Sequence, residues 1–282
     1  MRQVGRSQVR RLLPAARRQA VGRFLFFDHF GPEEQKPFED FDVRPHPHIG
    51  LSTVTYLFEG KMVHRDSLGS VQAIVPGDVN WMTAGRGIAH SERAPPELAG
   101  LPRHTYGLQL WTGLPKSLEE GEPTFAHTPG SAIPVQERER AAVRVLIGRA
   151  WGAESPVGAS SETLYLDIEL PAGGRLDVPP LAEERALYSV DGAYTLQGQR
   201  VEPHVLAVLE PGATARLENE APARLVLIGG EPLDGTRFMW WNFVSSRRER
   251  IVTAAEQWAE DHTPRIPGES EWVALPGMPK FF

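Results

Sequence analysis

Four residues in the first half of the 282-residue chain have the types and the spacing of metal ligands. His46 and His48 stand at positions i and i+2, and His90 and Glu92 repeat that spacing. Side chains alternate between the two faces of a β-strand, so the members of each pair point to one side, about 6.5–7 Å apart. If the two strands are neighbours, three imidazoles and one carboxylate converge on a single point.

This donor set predicts one divalent transition metal. Imidazole nitrogen and carboxylate oxygen suit Fe(II), Mn, Ni, Cu or Zn. An octahedral ion held by these residues would keep positions open, which a catalytic metal needs and a structural metal lacks. The chain has no cysteine, which excludes disulfides, zinc–thiolate sites, iron–sulfur clusters and cysteine nucleophiles.

The residues around the two pairs are consistent with this interpretation. Pro45 and Pro47 flank the first pair, and proline is confined to edge strands because it cannot donate to a ladder. The second pair follows Gly85-Arg86-Gly87, which we interpret as a tight turn that directs His90. Neither GxxxxGK[ST] nor GxGxxG accompanies these glycines, so a phosphate-binding loop is not indicated.

The ligand pairs are embedded in short β-rich segments separated by Gly and Pro turns. Strands of this length and spacing are typical of a sandwich or barrel. The stretch 114–140 is rich in proline and charge, and we interpret it as a connector between two domains. Strands are predicted over 51–58, 71–75, 79–82, 106–111, 143–147, 163–170, 186–190, 205–209 and 225–228.

One helix is predicted near the end of the chain. Ser246 and Glu249 have the spacing of a capping box, and the helix should extend to about Asp261. A tail without regular structure should follow, and it could pack across the other domain. The apolar face of the helix consists of Ile251, Ala254, Ala255 and Trp258.

The two halves of the chain resemble diverged copies of one another. When Glu59-Gly60 is aligned with Asp191-Gly192, each half then reaches a Pro-Gly turn, Pro76-Gly77 and Pro211-Gly212. We therefore predict an all-β protein with two tandem antiparallel β-barrels, a metal-binding domain 1–134 and a second domain 135–282 that has lost the ligands. At the ligand positions the second half has Val178, Pro180, Leu225 and Leu227.

Composition restricts the classes of partner. A net charge of -6 argues against general binding of nucleic acid. The chain has no run of 18 or more apolar residues and no apolar secretory segment near its start, so we expect a cytoplasmic protein without a membrane span. A basic segment precedes Asp28, and we interpret it as a solvated surface strand rather than a binding arm: Arg2, Arg6, Arg10, Arg11, Arg17, Arg18 and Arg23.

The remaining histidines and a late aromatic cluster are given structural interpretations. His29 and His64 are expected to be hydrogen-bonded structural residues. The cluster at 240–243 is expected to be core, and it consists of Trp240, Trp241 and Phe243. Plain surface positions are expected for His104, His127, His204 and His262.

Several long motifs resemble the pirin family of the cupin superfamily, and the resemblance covers nearly the whole chain. They are FLFFDHFGP (24–32), RPHPHIGLSTVTYLFEG (44–60), HRDSLGS (64–70), PGDVNWMTAGRGIAHSE (76–92), GLQLWTGLP (107–115) and WWNFVSS (240–246). The resemblance implies a monomeric bicupin with a metal, usually iron, in the N-terminal barrel. Its implied ligands are His46, His48, His90 and Glu92, the same set that the spacing indicates.

Two functions are compatible with this resemblance. Some pirins resemble quercetinases, the metal dioxygenases that open a flavonol ring and release carbon monoxide. We therefore expect an iron-dependent dioxygenase for a small aromatic, flavonol-type substrate, with Glu92 as general base. The alternative is a metal- or redox-dependent regulator that binds a protein partner without catalysis. A metal-free scaffold is a third interpretation.

Overall fold

Most of the described chain, residues 1–4 and 7–281 of a computed structural model, is β-structure. Strands account for 49% of the residues and helix for 8%. The predicted all-β class, with its single short C-terminal helix, is thereby confirmed. The chain divides into two compact units, one of residues 1–14, 25–130 and 233–282 and the other of residues 15–24 and 131–232.

The first unit contains a seven-stranded and a four-stranded sheet, ordered β1-β2-β3-β10-β5-β8-β11 and β4-β9-β6-β7. Its strands are β1 (Arg2–Val4), β2 (Ser7–Leu13), β3 (Phe24–Gln35), β4 (Val43–His48), β5 (Leu51–Glu59), β6 (Met62–Asp66), β7 (Val71–Ile74), β8 (Val79–Thr83), β9 (Ile88–Arg93), β10 (Arg103–Gly113) and β11 (Thr124–Thr128).

The second unit has a six-stranded and a four-stranded sheet, ordered β12-β13-β16-β23-β18-β21 and β17-β22-β19-β20, and a β14-β15 pair. Its strands are β12 (Val135–Arg138), β13 (Ala141–Ile147), β14 (Arg149–Ala150), β15 (Ala153–Glu154), β16 (Thr163–Leu170), β17 (Arg175–Val178), β18 (Glu184–Asp191), β19 (Tyr194–Leu196), β20 (Gln199–Val201), β21 (Leu206–Val208), β22 (Ala215–Glu218) and β23 (Ala223–Gly230).

Residues 233–282 belong to the first unit, whereas the sequence analysis placed them in domain 135–282. They form the pair β24 (Phe238–Trp240) and β25 (Phe243–Ser245) and the helix α1 (Arg248–Ala259). Burial explains the difference, because Phe243 and the helix share one apolar cluster with Ile49 and Ala89. The three short 3-10 helices are Pro96–Leu98, Lys116–Leu118 and Gly130–Ala132.

Helix α1 buries the apolar face that the sequence predicts, Ile251, Ala254, Ala255 and Trp258. Its predicted capping box is wrong, since the N-cap is Arg247 and makes no side-chain cap. The hydroxyl of Ser246 donates instead to the buried carboxylate of Glu119, at 2.8 Å. The predicted core cluster is confirmed for Phe243, whereas Trp240 and Trp241 pack against it partly buried.

The predicted strands are present with ends shifted by a few residues. The supposed connector 114–140 is not merely a linker, because it contains two strands with separate partners. Strand β11 pairs with β8 of the first unit, and β12 pairs with β13 of the second. No described helix is long and apolar enough to cross a bilayer.

The four-stranded sheets of the two units have the same strand order, which corrects one part of the internal alignment. Val178 lies opposite Ala215 in the β17–β22 ladder, as His46 lies opposite His90 in the β4–β9 ladder. The counterparts of His90 and Glu92 are therefore on β22, and the predicted equivalents on β23 belong to the other sheet. Pro180, the predicted counterpart of His48, is exposed. The other second-unit residues in question lie in one apolar core: Val178, Ala215, Leu217, Leu225 and Leu227.

Candidate metal centre

Two neighbouring strands carry the predicted ligand pairs. His46 and His48 lie on β4, which is the edge of its sheet, as the flanking prolines predict. His90 and Glu92 lie on β9, the antiparallel neighbour, and His46 is directly opposite His90. Residues opposite each other in a ladder point to the same face, so the register brings the two pairs together.

The turn before β9 is built from glycines that tolerate no side chain. Gly85 has a φ of +50°, and an added Cβ would lie 2.1 Å from the carbonyl oxygen of Gly121. The amide of Gly50 donates to the carbonyl of Gly85 at 2.9 Å. These contacts join the start of β9 to the end of β4, in agreement with the interpretation of this segment as a turn.

The three histidines form a buried cluster. One ring nitrogen from each of His46, His48 and His90 lies within 4.8 Å of the other two. The residues are 9%, 1% and 2% exposed, respectively. Among the described residues, this is the single group of three or more His, Asp or Glu side chains with ligand atoms close enough to share an ion.

Backbone carbonyls set the orientation of two of the rings. Nδ1 of His46 is 2.9 Å from the carbonyl oxygen of Arg44, and Nδ1 of His48 is 3.0 Å from that of Asn242. A carbonyl oxygen only accepts, so both Nδ1 atoms carry the hydrogen and both Nε2 atoms keep a lone pair. This is the usual arrangement behind a metal-ligating histidine.

The third ring fits the same function. Nε2 of His90 lies 3.1 Å from Nε2 of His48. Nδ1 of His90 is buried and has no hydrogen-bond partner among the described residues. Because Nε2 of His48 keeps its lone pair, Nε2 of His90 can donate to it at this distance. A cation that replaces this hydrogen would bind both nitrogens, so the donor set fits a metal ion.

Burial keeps these rings neutral, as metal ligation requires. Removal from water lowers the pKa of His46 to about 4, against a weaker opposing effect of the hydrogen bond to Arg44. Burial, followed by the charges of neighbouring histidines, also places the pKa values of His48 and His90 well below their ordinary value. All three imidazoles are thus available as neutral donors at neutral pH.

Glu92 lies beside the cluster but is not part of its tightly spaced group. Its Oε1 is 3.4 Å from Nδ1 of His90, and its side chain is 11% exposed. Burial raises the pKa of this carboxyl to about 8, because the charged form loses its hydration. The structure therefore brings three of the four predicted ligands together and places the fourth next to them.

His64 and Asp66 lie beside this site, although neither was predicted to belong to it. Strand β6 lies on the other side of β9, and it places His64 opposite Glu92 and Asp66 opposite His90. The expected structural hydrogen bond exists, since Nε2 of His64 is 2.9 Å from Asp66. The signal that could have identified the pair is its spacing, a third i, i+2 set.

The other histidines lie outside the cluster. His29 is buried, with its ring 5.2 Å from that of Tyr106. His104 and His262 are exposed, as expected. His127 is not a plain surface residue, because its Nδ1 lies 2.7 Å from the side-chain oxygen of Asn80.

The basic segment of the N-terminus is partly neutralised within the fold. Arg11 forms a 2.7 Å ion pair with the buried Asp28. Arg23, whose side chain is 5% exposed, pairs with Glu231 at 2.9 Å. Of the segment, Arg6 lies outside the described residues.

Comparison with known proteins adds independent information. Residues 6–112 match the family model described as Pirin, and residues 165–264 match the model of the Pirin C-terminal cupin domain. A pirin-like protein of Caulobacter vibrioides is 43% identical over 281 residues, covering 97% of this chain and 96% of the relative. Pirin of Rattus norvegicus is 38% identical, covering 88% and 84%.

A solved structure matches nearly the whole chain. The crystal structure of quercetin 2,3-dioxygenase from Acinetobacter baumannii has a TM-score of 0.90 and 33% sequence identity to this chain. The match covers 97% of this chain and 91% of that protein.

Proposed function

The chain belongs to the pirin family, and on this premise we propose that it is a metal-dependent dioxygenase for flavonol-type small molecules. The ion is held by His46, His48 and His90, with Glu92 as the fourth ligand. Fe(II) is the proposed ion, and Ni, Cu, Mn or Zn are the alternatives. The similarity to a quercetin 2,3-dioxygenase supports the substrate class.

One observation carries the proposal. Three buried imidazoles, two of them fixed by backbone carbonyls, bring one ring nitrogen each within 4.8 Å of the other two. A structural histidine normally has both of its buried nitrogens satisfied by the protein. When bound, the ion supplies Lewis acidity toward an enolic or phenolic oxygen and a template for the reaction with dioxygen.

Glu92 is proposed to accept the proton of the substrate hydroxyl. A carboxyl whose pKa is raised to about 8 by burial is a stronger base than an ordinary glutamate. Its position next to His90 places it at the edge of the cluster, where a substrate oxygen would arrive. A Glu92→Gln protein that holds its ion normally and turns over at the full rate would exclude this function.

Aromatic side chains pack beside His48 of the candidate site. The ring of Trp111 contacts that of His48 edge-on, with centroids 5.1 Å apart, and stacks on Phe26 at 3.9 Å. These rings restrict the movement of His48 and keep water from its apolar side. A low-dielectric wall of this kind strengthens electrostatic interactions between substrate and site.

The first experiment is turnover of quercetin. We would load the protein anaerobically with Fe(II), add quercetin and oxygen, and follow flavonol loss together with carbon monoxide release. The His46→Ala protein is the control, because it lacks one ligand but keeps the rest of the pocket. Turnover that the substitution abolishes supports a dioxygenase, whereas an iron-loaded wild type without turnover excludes it.

A regulatory function is the second candidate. The second unit fills its ligand positions with the apolar Val178, Ala215 and Leu217, yet it remains a complete folded domain. A domain kept without a metal is available for binding a protein partner. This candidate predicts that partner affinity differs between the Fe(II) and Fe(III) forms, and equal affinities would exclude a redox switch.

A further inference from the structure

Three neighbouring strands, β4, β9 and β6, each carry an i, i+2 pair of polar side chains. The first two hold the proposed ligands, and the third holds His64 and Asp66. The ladder register gives all three pairs the same face, because His64 is opposite Glu92 and Asp66 is opposite His90. The centroids of the His64 and His90 rings are 5.3 Å apart.

His64 is rigidly held in one orientation. Its ring stacks on Phe125 with a centroid distance of 4.2 Å and an interplanar angle of 8°. Its Nε2 lies 2.9 Å from Oδ2 of Asp66, which is completely buried. Asp66 is fixed in turn by the amides of Leu68 and Ser70, which donate to its Oδ1 at 2.9 and 3.0 Å.

These contacts determine which nitrogen of His64 is available. The carboxylate of Asp66 accepts, so Nε2 of His64 carries the hydrogen, and in the neutral ring Nδ1 keeps its lone pair. Among the described residues, Nδ1 has no hydrogen-bond partner, although His64 is only 5% exposed. A ring fixed in this way, with Nδ1 not used by Asp66, is a suitable binding element next to the histidine cluster.

We propose that His64 is a substrate-orienting residue whose Nδ1 accepts a hydrogen bond from a substrate hydroxyl. This inference rests on the proposed function, and it narrows the substrate class. The molecule must carry two neighbouring oxygens, one directed at the histidine cluster and one hydroxyl directed at His64. Flavonols, catechols and other compounds with vicinal hydroxyl and carbonyl or hydroxyl groups satisfy this requirement. Asp66 is a positioning residue that acts through His64.

Three substitutions of His64 separate this function from a structural one. Asparagine at position 64 places a polar atom where Nδ1 lies, whereas glutamine reaches to the position of Nε2 and can still donate to Asp66. Leucine removes both contacts. The anaerobic dissociation constant for quercetin is measured by absorbance with Fe(II)-loaded protein, alongside iron content and melting temperature.

We expect His64→Gln and His64→Leu to weaken quercetin binding about tenfold, as loss of one hydrogen bond to substrate predicts. His64→Asn should remain within about threefold of the wild type. Iron content should be unchanged in all three proteins. The matched control is His104→Asn, the same substitution at an exposed histidine, which should leave the dissociation constant unchanged.

The other outcomes overturn the proposal in distinguishable ways. Wild-type affinity in all three variants excludes a contact with substrate. If His64→Gln keeps its affinity for quercetin and His64→Asn loses it, the hydrogen bond to Asp66 is the contact that matters. His64 then has a structural role. Loss of iron assigns His64 to support of the cluster. A wild-type protein that holds iron and binds no quercetin defeats the proposed function itself, and this inference with it.

Discussion

The hydroxyl of Ser91, which lies between His90 and Glu92 on β9, donates a 2.6 Å hydrogen bond to Glu269 in the C-terminal tail. Arg93, next on that strand, also donates to Glu269, with its Nε at 3.2 Å. Ser91 and Arg93 alternate with the proposed ligands His90 and Glu92, so the tail lies on the opposite face of β9 from the candidate metal centre.

The tail also contacts the other ligand strand. The amide of Val273 donates to the carbonyl of Pro45, the residue before His46, at 2.8 Å. The indole of Trp258 donates to the carbonyl of Val273 at 2.9 Å, which attaches this part of the tail to α1. One irregular segment thus contacts both β4 and β9, the strands that carry the proposed ligands.

Loss of the Glu269 charge should weaken metal binding. In Glu269→Gln the charge-assisted hydrogen bonds to Arg93 are lost, so β9 is held less firmly. We therefore expect the dissociation constant for Fe(II) to rise about three- to tenfold. The control is Glu271→Gln, since Glu271 pairs with the same Arg93 but is about half exposed. The constants are measured by competition with a coloured chelator. An equal affinity in wild type and Glu269→Gln would show that the tail does not position the ligands.

Removal of a central ligand should abolish stabilisation by metal. With Fe(II) at about 1,000 times its dissociation constant, the wild type should gain about 4 kcal/mol in free energy of unfolding. His90→Ala should gain nothing, because the remaining nitrogens do not close the cluster. Thermal melting with and without ion measures the difference, with His104→Ala as the exposed control. An undiminished gain in His90→Ala would remove this residue from the ligand set.

Metal binding should release a proton from Glu92 at neutral pH. Burial raises the pKa of this carboxyl to about 8, so it is protonated at pH 7 in the ion-free protein. A carboxyl must ionise to ligate, and affinity should therefore rise with pH up to about 8. Calorimetry in buffers of different ionisation enthalpy counts the protons. We expect close to one per ion in the wild type and none in Glu92→Gln, and the absence of release in the wild type would argue against Glu92 as a ligand.

The ion-free protein should lose stability on mild acidification. The pKa of His46 is 6.5 in the unfolded chain and is lowered to about 4 in the folded protein, because burial disfavours the charged ring. The unfolded state binds more protons between these values, so the free energy of unfolding falls as the pH drops from about 6.5 to 4. The full effect of His46 is about 3 kcal/mol.

Urea unfolding at pH 7 and pH 5 tests this dependence, with His46→Gln as the comparison. The variant should show a smaller loss between the two pH values, since one buried imidazole has been removed. Identical losses in both proteins would show that His46 is not the group that titrates.

The ligand pairs and the apolar face of α1 could be predicted from sequence because both depend on local periodicity. The spacing of His46 and His48 fixes a common face in any strand, and Ile251, Ala254, Ala255 and Trp258 fix one side of any helix. Neither prediction requires knowledge of a distant partner.

The errors concern contacts between residues far apart in the chain. Ser246 has the spacing of a cap, but the buried carboxylate of Glu119 competes for its hydroxyl. The structural hydrogen bond predicted for His64 is present, but its position beside the candidate site could not be predicted, because that position depends on the pairing of β6 with β9. Counting from a turn also placed the counterpart of His90 on β23, since loop lengths differ between the copies and only the ladder identifies β22.

The first unit contains residues 25–130 and 233–282, and most of the second unit, residues 131–232, lies between these two segments in the sequence. During synthesis the strands that carry the histidines emerge early, but Glu269 and Val273 are made after residues 131–232. The proposed ligands are therefore synthesised well before the tail segment that contacts their strands. Capture of an ion with full affinity should be one of the last steps in the maturation of the newly made protein.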